Sequence, residues 1–197
     1  MTQVEVFFDY SSPFAYLGTT QVEGVARRHG AEVVWKPFLL GALFKALGTP
    51  LVPLATFPAA KARHQALDLQ RWAAHYGVPF RFRSQFPLNS VALLRLTLAA
   101  PAPERPALIH RLMALAWAED AVFDEATLAA ALRDVGLDEG LVARTKDPAI
   151  KQALFDATEE AIERGVPGAP TFIVGDELFW GQDRLLFVDK ALASAIS

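Results

Sequence analysis

The stretch Phe7–Gly18, FFDYSSPFAYLG, joins two kinds of secondary structure in one short segment. It overlaps the run Val4–Asp9 (VEVFFD), whose β-branched and aromatic residues predict a β-strand. Pro13 fits the first position of a helix, where its missing N–H removes no intrahelical hydrogen bond. The stretch therefore predicts a strand that runs directly into a helix. Ser11 and Ser12 fall at the junction, where free helix N–H groups attract negative charge.

The segment after this stretch completes a β-α-β unit. Apolar residues recur at helical spacing from Pro13 onward, and Gly30 is expected to end the helix. Glu32–Pro37 (EVVWKP) has the composition of a second strand. Two strands with a helix between them favour a parallel pair with a right-handed crossover.

A second pair of strands is predicted near the other end of the chain. Thr171–Val174 and Glu177–Trp180 are apolar runs separated by Gly175-Asp176, which is a hairpin signal. Asp183 is then expected to cap a last helix, Arg184–Ile196. The two ends of the chain therefore predict the order β-α-β followed by β-β-α.

The middle of the chain, from about residue 38 to 164, is rich in alanine, leucine and charged residues and predicts a block of helices. Asp124 and Asp147 are expected N-caps. The proline-rich segment Thr49–Pro58 is expected to be a loop. The predicted helices are Ala59–Tyr76, Ser90–Leu98, Glu104–Ala118, Glu125–Val135, Asp138–Lys146 and Pro148–Arg164.

Composition excludes several classes of function. The 197 residues are 52% hydrophobic and 21% charged, so a folded core is expected. A net charge of -3 with interspersed signs argues against a nucleic-acid partner. No membrane-spanning run or signal peptide is recognised, which predicts a cytoplasmic protein without a membrane partner. The four histidines form no ligand pair, so no metal is expected.

The order of elements resembles the thioredoxin fold, here with a large all-helical insertion. In that fold the reactive group sits at the start of the first helix and faces a proline that follows a cis peptide bond. Pro170, in GVPGAPTF, stands at that place. The resemblance implies a thioredoxin-like domain of residues 1–37 and 165–197 and a helical insertion domain of residues 38–164.

The chain contains no cysteine, whereas disulfide oxidoreductases of this fold carry Cys-x-x-Cys at the helix start. Any sulfur chemistry must therefore use a thiol that belongs to a ligand, and a disulfide oxidoreductase is excluded. A serine hydroxyl and the helix dipole can both stabilise a bound thiolate. Glutathione is the expected carrier of that thiol.

Four motifs together resemble the 2-hydroxychromene-2-carboxylate isomerases and the related kappa-class glutathione transferases. They are FFDYSSPFAYLG, WKPFLLGALFK, FPLN at Phe86–Asn89 and GVPGAPTFIVGDELFWGQDRL, and they cover nearly the whole chain. Pro167, in the GVPG segment, departs from the bulkier residue usual in the family. This departure bears on the local shape beside Pro170.

The resemblance implies the functional residues. Ser11 would contact the sulfur of glutathione, and the backbone of Ala169 would pair with the cysteinyl backbone as an added strand does. Gln182 and Asp183 would hold the γ-glutamyl end. The full implied cofactor site is Ala169, Pro170, Trp180, Gly181, Gln182 and Asp183. Lys45, Arg63 and Asn89 would bind the carboxylate of a small aromatic substrate.

Structural roles remain as alternatives for these residues. Ser11, Asp183 and Asn89 are also the residue types that cap helices. Lys45 and Arg63 are alternatively solvated surface charges. Arg81 and Arg83 alternate with aromatic residues, which is typical of a solvated face. Asp9, at the end of a strand, is expected to be structural.

The implied function is glutathione-dependent interconversion of 2-hydroxychromene-2-carboxylate and trans-o-hydroxybenzylidenepyruvate in aromatic degradation, and the resemblance also implies a homodimer. Two alternatives stay open at this point. One is a kappa-class-like transferase that conjugates glutathione to electrophiles. The other is a non-catalytic thiol- or peptide-binding module, since one fold serves many functions.

Overall fold

A mixed four-stranded sheet forms the centre of the protein. The computed structural model describes residues 2–195, and its strands are β1 (Gln3–Phe8), β2 (Glu32–Pro37), β3 (Thr171–Val174) and β4 (Glu177–Trp180). The strand order is β2-β1-β3-β4. β1 and β2 are parallel, and β3 is antiparallel to both β1 and β4. The predicted thioredoxin-like order of elements is confirmed.

Helices pack on both faces of the sheet and fill the long segment between β2 and β3. The helix between β1 and β2 ends two residues before the predicted Gly30, and the short helix that begins at Leu40 was not predicted. The helices are α1 (Pro13–Arg28), α2 (Leu40–Ala46), α3 (Ala59–Tyr76), α4 (Val91–Ala99), α5 (Arg105–Trp117), α6 (Glu125–Asp134), α7 (Leu141–Arg144), α8 (Pro148–Glu163) and α9 (Leu185–Ser194).

Helix ends follow the capping signals of the sequence in two places and depart from them in one. Asp124 and Asp147 accept backbone N–H bonds at the starts of α6 and α8, as predicted. Asp183 does not cap α9; it lies in a 3-10 turn, and the cap position is Arg184. Ile196, the predicted end of this helix, lies outside the described residues.

Two buried clusters place α1 at the centre of the core. Val6 of β1 and Val22 of α1 pack with residues of α9 on one side. Phe7 of β1 and Leu17 of α1 pack with α4, α5 and α8 on the other. Because one buried cluster runs from the sheet into the helical block, the division into two domains stays a prediction. Across residues 2–195, no helix is both long and apolar enough to cross a membrane.

Candidate active site

The start of α1 is held by Ser12. Its hydroxyl accepts a hydrogen bond from the Ala15 N–H at 3.2 Å, which makes Ser12 the N-cap. The same hydroxyl donates to the Ala169 carbonyl oxygen at 2.8 Å. Ser11, the alternative cap, lies one residue outside this position. Pro13 at the first helical position was the signal in the sequence that the preceding residue is the cap.

The segment that carries Pro170 faces this helix start. The Ala169-Pro170 peptide bond is cis, as the thioredoxin-like order implied. A Cβ on Gly18 would lie 3.0 Å from the Pro170 Cγ and 3.1 Å from the Phe172 Cζ. Only a glycine therefore lets α1 approach the Pro170 segment this closely without displacing a neighbour.

The residues after β4 form the next part of the site. Gly181 donates its N–H to the Pro170 carbonyl at 2.9 Å and has a φ of 107°, where side chains are disfavoured. Asp183 pairs with Arg184 at 2.8 Å rather than with a helix N–H. Gln182 is buried, whereas Trp180 is 56% exposed. The structure thus brings the predicted cofactor residues Ala169 to Asp183 into one connected segment around Pro170.

Tyr76, at the end of α3, ties the helical block to this segment. Its hydroxyl donates to the Gln182 carbonyl oxygen at 3.1 Å. Burial, reinforced by the charge of Asp183, raises the pKa of the Tyr76 phenol to about 12. The phenol therefore stays protonated and remains a donor at neutral pH. This residue was missed because its partner is 106 residues away in the sequence.

Asp9 lies fully buried beneath the helix start. Its carboxylate accepts the Ser11 N–H at 2.9 Å and the Leu40 N–H at 2.8 Å. Burial raises the pKa of the Asp9 carboxyl, and hydrogen bonds from Ser11, Ser90 and Leu40 act in the opposite direction. The donors on this carboxylate come from three separate segments of the chain.

An aromatic cluster connects the helix start to the helical block. The indole N–H of Trp117 donates to the carbonyl oxygen of Tyr10, the residue before Ser11, at 2.8 Å. Phe80 stacks on Trp117 with ring centroids 6.2 Å apart, and the ring of Phe86 lies 6.3 Å from the indole. The backbone that leads into the two serines is therefore hydrogen-bonded to a cluster of packed aromatic rings.

A cavity of about 410 Å³ borders this aromatic cluster. Phe82 and Phe86 contribute to both the cavity and the aromatic cluster. Pro87 adjoins Phe86, and the remaining lining comes from the 3-10 turn after α2, with the residue before it, and from one face of α3. Gln65 is the one amide side chain of the lining. The lining residues are Val52, Leu54, Ala55, Ala62, Gln65, Ala66, Leu69, Phe82, Phe86 and Pro87.

The three predicted substrate residues lie outside this lining. Lys45 and Arg63 are exposed and form no ion pair within the described part of the chain. Asn89 is exposed two residues after Pro87, and its side-chain oxygen accepts the Val91 N–H at 3.3 Å. None of the three lines the cavity, and their role stays a prediction.

Arg83 departs from its sequence-based interpretation as a solvated residue. It is buried, and its guanidinium donates to the carbonyl oxygens of Gln85, Ala116 and Ala121 at 3.0 to 3.3 Å. Those bonds hold the loop that contains Phe82 and Phe86 against the end of α5. The residue thus has a structural role in shaping the cavity wall.

Known proteins resemble the chain along its whole length. The model of the DSBA-like thioredoxin domain matches residues 3–193. The 2-hydroxychromene-2-carboxylate isomerase of Sphingobium xenophagum is 32% identical over 96% of this chain and 97% of that protein. Glutathione S-transferase kappa 2 of Caenorhabditis elegans is 28% identical over 96% and 91% of the two chains.

Solved structures agree with these matches. The solved structure of a selenomethionine 2-hydroxychromene-2-carboxylate isomerase superposes with a TM-score of 0.87, at 27% identity, over 98% of this chain and 96% of that one. The sequence and the structural matches therefore both extend from β1 to α9. The chain belongs to the DSBA-like thioredoxin family and, within it, to the group of 2-hydroxychromene-2-carboxylate isomerases, which is related to the kappa-class glutathione transferases.

Proposed function

We propose that the protein is a glutathione-dependent isomerase that interconverts 2-hydroxychromene-2-carboxylate and trans-o-hydroxybenzylidenepyruvate in aromatic degradation. The observation that carries the proposal is a cysteine-free helix start that faces Pro170 and is linked through an aromatic cluster to an apolar cavity. A site without its own thiol requires a ligand that brings one. An apolar cavity of about 410 Å³ suits a flat aromatic substrate.

The polar groups around Pro170 fit glutathione. The Ala169 N–H, on a residue only 7% exposed, has no acceptor among the described residues and is available to a peptide ligand. Gln182 and Asp183 would hold the γ-glutamyl end, with the Asp183 carboxylate shared between the ligand ammonium and Arg184. Trp180, whose indole lies against Gly168, would cover the peptide.

The two serines differ in their suitability for the sulfur contact. The sequence-based prediction assigned that contact to Ser11, whose N–H is bonded back to Asp9. Ser12 instead touches the Ala169 carbonyl, beside the proposed position of the cysteinyl backbone. We therefore propose Ser12 as the main hydroxyl donor to a bound thiolate, which would replace the Ala169 carbonyl as the acceptor of its single proton, with Ser11 next to it.

Glutathione would supply a thiolate that adds reversibly to the conjugated skeleton of the substrate, so that rotation about the former double bond becomes possible. The chain's own residues position and stabilise the reactants. The start of α1 and a serine hydroxyl favour the thiolate form. The aromatic cluster excludes water from one side, and the cavity orients the ring of the substrate. Lys45, Arg63 and Asn89 stay candidates for the substrate carboxylate.

The experiment is an ultraviolet assay with the chromene carboxylate, combined with a titration of free thiol. An isomerase gives an absorbance change that requires glutathione and consumes none of it. No change in the presence of glutathione overturns the proposal. Loss of one thiol per turnover with a haloaromatic substrate would instead establish a transferase, the activity in the name of the nematode relative. Glutathione binding without any turnover would establish a binding module.

We also propose a cytoplasmic homodimer. Large apolar side chains remain exposed on β4 and α9, including Leu178, Leu186 and Phe187, and such residues are common at interfaces between subunits. Light scattering on a size-exclusion column checks the dimer, and a molecular mass of one chain would contradict it.

A further inference from the structure

The cavity beside the aromatic cluster contains one polar side chain. Of its ten lining residues, nine are apolar and only Gln65 carries a hydrogen-bonding side chain. Gln65 lies on α3 with Ala62, Ala66 and Leu69, and their spacing of three and four residues places them on one helix face. The side chains of Ala62 and Ala66 are single methyl groups, which leave room for a ligand next to the amide. The hydrogen bonds that side chains can offer in this cavity therefore depend on one residue.

The Gln65 amide is not engaged elsewhere in the described part of the chain. The residue is half-buried, and its side chain makes no hydrogen bond to any residue from 2 to 195. An amide in apolar surroundings gains a hydrogen bond only when a ligand or a water molecule supplies the partner. Gln65 is therefore free to bond a molecule that enters the cavity. Gln70, on the same helix, is exposed and lies outside the lining, so it offers a matched comparison.

We propose that Gln65 is a specificity-determining residue of the isomerase, which recognises the oxygen atom on the aromatic ring of the substrate. The inference rests on the proposed function and deepens it, because it assigns the orientation of the substrate in the cavity. The aromatic ring and its oxygen enter the cavity and meet the amide. The carboxylate at the other end of the substrate stays outside the apolar lining.

The composition of the lining determines which end of the substrate enters. None of the described lining residues is a lysine, arginine or histidine, and a carboxylate moved into apolar surroundings without a partner is strongly disfavoured. The aromatic end instead gains stability by burying its carbon atoms against rings such as those of Phe82 and Phe86. The carboxylate is left for groups beyond the lining, where the predicted candidates Lys45 and Arg63 lie.

An amide suits an oxygen whose hydrogen-bonding character changes during the reaction. In the chromene form this oxygen is an ether and only accepts, whereas in the open form it is a phenol and also donates. Ring opening breaks the bond between this oxygen and C2, the C2 hydroxyl becomes a ketone by losing its proton, and the ring oxygen gains a proton. Gln65 has both an NH2 donor and a carbonyl acceptor, so it can bond either form, whereas a carboxylate could only accept from the phenol.

The first experiment compares wild type with Gln65→Met, which keeps the length of the side chain, and with the matched surface variant Gln70→Met. Calorimetry measures the binding of trans-o-hydroxycinnamate and trans-cinnamate, which differ only in the ring hydroxyl. Wild type and Gln70→Met should bind the hydroxylated acid about three- to tenfold more tightly, and Gln65→Met should bind the two acids about equally. Equal binding of the two acids by wild type, or an unchanged preference in Gln65→Met, overturns the proposal.

The second experiment needs no variant and tests the orientation of the ligand. In wild type, NMR follows the side-chain amide protons of Gln65 while each of the two acids is added. The hydroxylated acid should shift these protons further than cinnamate does, and its ring protons should show nuclear Overhauser effects to the methyl group of Ala66. Identical shifts with the two acids, or no contact between the ligand ring and Ala66, overturns the proposal.

The failure of this inference is distinguishable from failure of the proposed function. Glutathione-dependent turnover by wild type, with the same preference between the two acids in Gln65→Met, would leave the isomerase intact and remove the role of Gln65. A preference that depends on Gln65, in a wild-type protein without glutathione-dependent turnover, would instead overturn the isomerase and retain the amide as the group that recognises the ring oxygen.

Discussion

The helix start, formed by residues 9–13 with 169–170, and the apolar cavity behind the aromatic cluster are built on different principles. At the helix start, directional hydrogen bonds between distant residues fix each polar group, as Ser12 and Asp9 illustrate. The cavity is lined largely by aliphatic and aromatic side chains, which pack without directional constraint. The first region is thus suited to one invariable chemistry, and the second can be reshaped for different substrates at small structural cost.

The largest effect is expected from breaking the close approach at the helix start. Gly18→Ala places a methyl group 3.0 Å from Pro170, and we expect it to lower the free energy of unfolding by about 1–3 kcal/mol. In the same helix, the added methyl group of Gly24→Ala would meet no neighbouring atom within 4 Å. This substitution should therefore raise the free energy of unfolding by about 0.5–1 kcal/mol. Urea denaturation measures both, and two changes of the same sign would contradict the contact.

The next effect separates the two serines. Ser12→Ala removes both the cap and the proposed thiolate donor, so it should cost about 1 kcal/mol of unfolding free energy. It should also raise the pKa of bound glutathione by about one to two units. Turnover would fall near neutral pH and recover partly at higher pH, because the thiolate then forms without the serine.

Ser11→Ala is the control for that comparison. Its hydroxyl is not the cap, so stability should change by less than about 0.5 kcal/mol. If Ser11→Ala shifts the thiol pKa more than Ser12→Ala does, the original sequence-based assignment is correct and the geometric argument for Ser12 fails. Steady-state kinetics and thiolate absorbance, measured from pH 6 to 9, decide between them.

A change in the cavity should weaken binding of the aromatic substrate and leave binding of glutathione unchanged. Ala66→Phe fills part of the lining from α3 and should raise the KM for the aromatic substrate about tenfold. Glutathione affinity, measured by calorimetry, should stay within about twofold because the helix start is untouched. An equal loss of affinity for both ligands would show that the two regions are not separable.

The smallest effect concerns the bond between the regions. Tyr76→Phe removes the hydroxyl that donates to the Gln182 carbonyl and should weaken glutathione binding by about fivefold, which corresponds to about 1 kcal/mol. The rate at saturating glutathione should not change. A fall in that rate without a change in affinity would argue for a more direct role of the phenol.

Most of the fold could be predicted from the sequence because the residues that mark the ends of helices and strands act locally. Pro13, Gly175 and the caps Asp124 and Asp147 mark element boundaries through their own backbone geometry or side-chain bonds. α2 was missed because its cap position, Leu39, makes no side-chain bond and gives no signal.

The site was less predictable because its important bonds are long-range. Arg83 is buried only because carbonyl oxygens of α5 and the loop after it converge on its guanidinium. The buried Asp9 carboxylate accepts the N–H of Leu40, which is 31 residues away in the sequence. Pro13 was a sequence signal that Ser12 is the cap, but it does not show which of the two adjacent hydroxyls would contact a thiol.

The bond between Ser12 and Ala169 also has a consequence for biosynthesis. The two residues are 157 positions apart, so a ribosome that adds about 5–20 residues per second needs on the order of ten to thirty seconds to travel between them. During that interval β1 can pair with β2, but the edge that later receives β3 is unpaired. Nascent chains therefore expose a strand edge that the helical block or a chaperone must shield, and a chain released before residue 169 has no complete site.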